Sequence, residues 1–221
     1  MWRLHQFTLC PFSRKVRLVL GEKGGVVDLL RATPWEKSEA YTAINPTGQT
    51  PALEADGALL GDSVAIAEFI DESLDGPSLI GEGPVFRAET RRMVAWFDQR
   101  FYTEVGVHLL QERMLKRIIR REPPDGQALR RASRAVEGHL DYLDWLLDTR
   151  RWVAGERLGM ADLAAAAHLS VADYLSGIDW SGHASVKAWY SAMKSRPSMR
   201  PLLAERVEGL FPPAHYDKLD F

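Results

Sequence analysis

Cys10-Pro11-Phe12-Ser13 stands between an apolar, β-prone run, Trp2 to Leu9, and an amphipathic segment that continues from Pro11 to about Lys23. The boundary decides the local fold: a strand ends, and a helix begins with the only cysteine of the chain at its N-cap. Pro11 suits the first helical position, because the N–H it lacks would have no partner there and its φ is already helical. A sulfur at that place meets free backbone N–H groups and the positive end of the helix dipole, which favour a thiolate and so a nucleophile near neutral pH. Most lone cysteines, by contrast, are small buried hydrophobes, and this stretch by itself does not separate the two readings.

The second informative stretch is Asn45-Pro46-Thr47-Gly48-Gln49-Thr50-Pro51-Ala52-Leu53, followed by Asp62-Ser63-Val64-Ala65-Ile66 at the start of another helix. In that order, downstream of Cys10-Pro11-Phe12, these segments resemble the glutathione transferase superfamily. The Cys-Pro-Phe opening is most similar to its cysteine-bearing, omega-type members, and the resemblance extends over essentially the whole chain. It implies an α/β thioredoxin-like N-terminal domain and an all-α helical C-terminal domain, with glutathione as the cosubstrate.

The order of elements agrees with that expectation. Trp2 to Phe7 predicts a strand, Pro11 to Lys23 a helix stopped by Gly24-Gly25, and Val26 to Ala32 a second strand. A strand–helix–strand unit makes the two strands parallel. Ala52 to Glu54 and Ala58 to Leu60 are short strands joined by Asp56-Gly57, a strong hairpin signal. Ser63 to Glu72 follows as a helix with Ala65, Ile66, Phe69 and Ile70 on one face. The thioredoxin-like domain is expected over residues 1–76, a Gly/Pro-rich linker over 77–84, and the helical domain with an ordered aromatic tail over 85–221.

Within the helical part, Met93, Val94, Phe97, Phe101, Val105, Leu109 and Leu110 form an inward stripe on a long helix from Val85 to about Arg121. Its antiparallel partner runs from Gln127 to about Leu147. Gly159-Met160-Ala161-Asp162 opens an alanine-rich helix through Ala164 to Leu175. The resemblance places a Ser/Thr-x-x-Asp capping box there, and Gly159 stands where the Ser or Thr would be. Glycine is an adequate N-cap, so the departure weakens one hydrogen bond and leaves the fold. Two further helices are expected over Val186 to Arg196 and Ser198 to Arg206, separated by Pro197.

Composition narrows the function. A formal charge of −2 argues against a general nucleic-acid binder. One cysteine excludes an internal disulfide and any metal site needing two thiolates, and the six histidines show no metal-ligand spacing. With no apolar run near the roughly 20 residues a membrane helix needs, the expectation is a cytoplasmic protein with no membrane partner.

The resemblance also assigns roles residue by residue. Cys10 would form a mixed disulfide with glutathione, whereas Ser13 would offer a hydroxyl to a bound glutathione thiolate; the motif leaves these open. Phe12 falls among the glutathione-binding positions, and Gln49 resembles the glutamine that reaches the glycyl end of glutathione, although a plain loop residue explains it equally. Pro51 would be cis, turning the N–H and C=O of Thr50 toward the cysteinyl backbone of glutathione. Ser63 would bind the γ-glutamyl carboxylate and Asp62 its ammonium, although a plain N-cap pair explains the same two residues. The resemblance further implies a homodimer.

Three features remain. Arg113, Lys116, Arg117, Arg120, Arg121, Arg130, Arg131 and Arg134 make the tip of the helical hairpin basic, ordinarily a solvated end and less often a dock for an acidic segment. The seven tryptophans, with Trp96, Trp145, Trp152 and Trp189 in the helical part, read as mainly core. The ending, Gly209 to Phe221, is aromatic to its last residue and resembles that of glutathione-transferase-like cell-division proteins of α-proteobacteria that associate with the tubulin homologue FtsZ. Two functions therefore stand side by side: a glutathione transferase or glutathione-dependent thiol reductase, and a non-catalytic scaffold for a protein partner such as FtsZ.

Overall fold

Leu4 lies opposite Leu29 on one side and Leu53 on the other, which places β1 (Trp2–Gln6) in the middle of the sheet. The computed structural model describes all residues from Met1 to Phe221. Helix α1 (Pro11–Glu22) carries the chain back across the sheet, so β2 (Val27–Arg31) returns parallel to β1. After a 3-10 turn at Pro34–Glu36 and the short α2 (Glu39–Ile44), β3 (Ala52–Ala55) pairs antiparallel with the other edge of β1, and β4 (Ala58–Gly61) pairs antiparallel with β3. The order is β2-β1-β3-β4. Asp56 and Gly57 both take positive φ, 52° and 82°, as the tight hairpin turn requires. Helix α3 (Ser63–Ser73) then buries Ile66, Ala67 and Ile70. Ala67 takes the inward place expected of Ala65, which is exposed.

The helical domain begins with α4 (Pro84–Ala95), which continues without a break through a π-wound stretch (Trp96–Gly106), the single turn α5 (Val107–Leu109) and a second π-wound stretch (Leu110–Arg120). Phe97, Phe101, Val105 and Leu109 recur every four residues and are all nearly inaccessible. That step exceeds the 3.6 residues of an α-helical turn, and the wider winding keeps such a row on one face. Leu110 departs from the expected stripe: it is half-buried and faces a cleft. Helix α6 (Gly126–Leu147) packs antiparallel, pairing Glu112 with Asp125, Trp96 with His139, and Arg92 with Tyr142. Its Trp145 is 64% exposed, a correction to its reading as core: it lies on the outer side of α6, stacked on Tyr142.

All fifteen residues of α7 (Met160–Tyr174) are buried, and its alanines let α1 and α4 approach closely. A serine in place of Gly159 would meet a wall: a Cβ there would lie 2.7 Å from the Leu79 carbonyl oxygen, which already accepts a hydrogen bond from Met160 N at 2.7 Å. The linker backbone thus occupies the space of a cap side chain. Asp162 keeps the other half of the box, accepting from Gly159 N at 3.0 Å, and also from Val153 N and Trp189 Nε1, each at 2.9 Å. Helices α8 (Ala184–Lys194) and α9 (Arg200–Ala204) begin and end slightly inside or outside their expected bounds. No helix is long and apolar enough to cross a membrane.

Buried charges of α1 join the two halves. Lys15 pairs with Asp98, whose other oxygen lies 3.0 Å from His168 Nε2. Burial works to raise the Asp98 carboxyl, but the His168 hydrogen bond and the Lys15 charge hold it below its ordinary value. Arg14 donates to Thr8 O, Ser170 Oγ and Tyr216 Oη, each at 2.8 Å. Tyr216 is fully buried and belongs to the final segment, which folds back over α7 and α8. Lys194 Nζ clasps that segment by donating to the carbonyls of His215 and Lys218 and lies 3.7 Å from the Phe221 ring centre. Burial lowers this ammonium to about 8.

Candidate functional site

Between the thioredoxin-like sheet and the long helix lies a cleft of about 620 Å³. Its polar wall comes from the two loops that sequence reading singled out. Cys10 caps α1 with extended backbone (φ −82°, ψ 115°), but its side chain takes no hydrogen bond from the first turn of the helix. Its thiol instead donates to Thr50 O at 3.3 Å. The expected contact between sulfur and helix N-terminus is therefore not made.

The Thr50–Pro51 bond is cis. The loop before it is held by Tyr41 Oη and Asn45 Nδ2, which both donate to Gln49 O, at 2.6 and 2.7 Å. Thr50 N–H has no acceptor within the protein, and both Thr50 and the exposed Gln49 border the cleft. Asp62, not Ser63, is the N-cap of α3: its Oδ1 accepts from Val64 N at 2.7 Å and Ala65 N at 3.2 Å. The other oxygen, Oδ2, is unpaired, and so is the hydroxyl of Ser63, which borders the cleft as the first helical residue.

Ser13 does not belong here. It is fully buried, and its Oγ accepts from Phe7 N at 3.4 Å, tying the end of β1 to α1. As a candidate catalytic hydroxyl it is corrected to a structural latch: three residues into the helix, its side chain turns to the sheet. Phe12 does face the cleft, with its ring edge-on to Tyr102 at 4.7 Å and His168 at 5.3 Å.

The opposite wall was not legible beforehand. Tyr102, Leu110, Gln111, Met114 and Leu115 come from the long helix, and Trp35 closes the outer end. Leu110 and Met114 are one turn apart, a spacing shared with the core row, so only packing tells the two faces apart. Burial raises the Tyr102 phenol above its ordinary value, leaving it a proton-bearing donor at neutral pH. The cleft thus offers N–H and O–H donors plus one free carboxylate oxygen on one side and apolar surface on the other. That combination suits a zwitterionic peptide lying beside an apolar group. No group of three or more His, Cys, Asp or Glu side chains is placed to hold a metal ion.

Comparison with known proteins agrees with this geometry. The family model described as glutathione S-transferase, N-terminal domain, matches residues 4–78, and that of the C-terminal domain matches residues 112–197. FtsZ-localized protein A of Caulobacter vibrioides is 46% identical over 222 residues, covering 99% of this chain and 97% of that protein. Glutathione S-transferase 2 of Saccharomyces cerevisiae is 30% identical over 204 residues, covering 89% and 87%. A crystal structure of a glutathione S-transferase from Rhodospirillum rubrum F11 superposes with a TM-score of 0.96 at 44% identity, over the whole of both chains. The sheet with its cis-proline loop, the helical hairpin and these matches together make this chain a member of the glutathione S-transferase family.

Proposed function

We propose that this protein is an FtsZ-associated scaffold of the glutathione S-transferase family, cytoplasmic and homodimeric, whose cleft keeps a tripeptide-binding site without serving turnover. The observation that carries the reading is the 46% identity to FtsZ-localized protein A, which at 99% coverage takes in nearly all of the aromatic tail. The site supports it: Ser13 is sealed in the core, and the Cys10 thiol is directed to a backbone carbonyl rather than to the helix donors. A homodimer is supported by Trp145, Tyr142 and Trp96, a partly exposed aromatic row across the hairpin with Arg100 stacked on Trp96. Such residues commonly anchor interfaces.

A second reading, glutathione-dependent transferase or thiol reductase, is favoured by the unpaired donors. Thr50 N–H would meet the cysteinyl backbone, Ser63 Oγ the γ-glutamyl carboxylate and Asp62 Oδ2 its ammonium. Bound there, glutathione supplies a nucleophilic thiol. The apolar wall at Leu110 and Met114 would receive the electrophile.

Co-sedimentation with FtsZ polymerised by GTP distinguishes the two. The scaffold reading expects the protein in the FtsZ pellet, equally for wild type and Cys10→Ala, with no conjugation of glutathione to a chlorodinitrobenzene. Saturable turnover that Cys10→Ala abolishes, with no FtsZ-dependent pelleting, would replace it by the enzyme reading. A monomer mass by light scattering would remove the dimer.

A further inference from the structure

The turn of the helical hairpin carries eight basic residues, from Arg113 to Arg134, and two of them are engaged. Lys116 pairs with Glu112 at 2.7 Å, and Arg113 donates to the carbonyls of Leu175 and Ser176 at 2.6 and 2.7 Å. Arg117, Arg120, Arg121, Arg130, Arg131 and Arg134 have no carboxylate partner. Beside them a second cavity, of about 570 Å³, opens where the long helix ends against the loop after β1, the end of β2 and the turn at residues 206–209.

Its floor is apolar, made by Phe7, Ile118, Ile119 and Val207, and Ile119 is 45% exposed. Its rim carries Arg31, Arg121 and Arg206 against a single carboxylate, Glu208. Arg206 is fixed in place by the carbonyls of Leu203 and Glu205 and also pairs with Asp217 at 2.7 Å. Arg31 and Arg121 pair with nothing in the protein.

Arg121 is the informative residue. It closes the helix in the left-handed conformation, φ 57°, at a position where glycine or asparagine is the usual choice because a Cβ is strained there. An arginine at that place serves the helix less well than glycine would. What it adds is an unpaired charge on the rim of an apolar groove, and backbone held in a sparsely populated region is more frequent at functional positions.

We propose that this groove docks an acidic segment of a partner protein, with carboxylates of the segment on Arg31 and Arg121 and one of its apolar side chains on Ile118, Ile119 and Val207. Charge complementarity selects the acidic occupant. The apolar floor, the carboxylate of Glu208 and a whole-chain charge of −2 set it apart from a phosphate-backbone site, where cations dominate. The proposal does not rest on what the glutathione-type cleft binds.

The test is fluorescence anisotropy with the full-length protein and a short fluorescein-labelled peptide of alternating glutamate and leucine. Saturable binding is expected, weakened about tenfold or more by Arg31→Glu and by Arg121→Gly, and weakened as salt rises. Arg121→Gly suits the backbone better than the native residue, so its melting temperature should hold or rise while binding falls. Ile119→Ser should also weaken binding, which a purely ionic patch would not show. The proposal is overturned by absence of saturable binding, by equal affinity for the peptide with lysine in place of glutamate, or by unchanged affinity in Arg121→Gly. Displacement by duplex DNA as efficient as by unlabelled peptide, or peptide-independent self-association that alone accounts for the anisotropy, would overturn it as well.

Discussion

The thiol of Cys10 donates to the carbonyl oxygen of Thr50, 3.3 Å away, across the mouth of the cis-proline loop. In the glutathione-binding reading that carbonyl is also an acceptor for the tripeptide backbone, so protein and ligand compete for it. Cys10→Ala removes the competitor and leaves the acceptor free. Glutathione affinity by calorimetry should then rise severalfold, in keeping with the net ~0.5–1.5 kcal/mol of a neutral hydrogen bond. A loss of affinity in Cys10→Ala would show instead that the sulfur itself holds the ligand.

Asp62 has two tasks that one substitution confuses. Asp62→Ala removes the cap of α3 as well as the free oxygen in the cleft, and loss of such a cap costs about 0.5–2 kcal/mol of stability. Asp62→Asn keeps a capping oxygen on the same framework, is tolerated at the positive φ of 67° that this residue holds, and discards the charge. Glutathione binding should weaken in Asp62→Asn and in Ser63→Ala, each by about 1.5–3 kcal/mol if a charged group of the ligand is the partner, with the circular dichroism spectrum unchanged. Equal affinity in both variants would empty the assigned site.

Gly159→Ser restores the residue type expected from the family's capping box and should nevertheless destabilise. Its Cβ would come within 2.7 Å of the Leu79 carbonyl oxygen, so the linker or the helix must shift, a cost of about 1–3 kcal/mol typical of overpacking. Urea unfolding of the two proteins measures the difference, and a more stable Gly159→Ser would contradict the packing argument.

Burial pushes the Asp162 carboxyl up to about 6, against the N–H donors of Val153, Gly159, Trp189 and its own backbone that pull it down. An unfolded aspartate titrates near 3.9, so between about pH 4 and pH 6 the native state holds a proton that the unfolded chain has released. The stability contributed by this group is therefore fully present below about pH 4 and is lost as pH rises through about 6, a change on the order of 2–3 kcal/mol. Asp162→Asn has nothing to titrate there. Subtracting its urea midpoints from those of the wild type across pH 4–7 should expose the slope, and parallel profiles would refute it.

What the sequence disclosed about fold and site divides by distance along the chain. The start of α1 at Pro11, the hairpin at Asp56-Gly57 and the helix opening at Asp62-Ser63 were legible because turn chemistry is local. Ser13 was misplaced because which way a residue in the first turn faces depends on the sheet that covers it. Arg14 and Lys15 are both inaccessible, and nothing local marks them as such, because the Asp98, Ser170 and Tyr216 that accept from them lie 83 to 202 residues away. Leu110 and Met114 carry no mark that distinguishes a cleft wall from a core, since both are simply apolar at helical spacing.

The burial of Tyr216 against Arg14 also couples two stretches of chain 202 residues apart. The guanidinium has its full set of acceptors, and α7 the ring that covers Tyr174, only while the segment around Tyr216 is docked. Opening of that segment uncovers a cation in the core at the same moment as it strips α7 of its cover. Release of the segment and loosening of α1 are therefore one cooperative event, not two independent fluctuations.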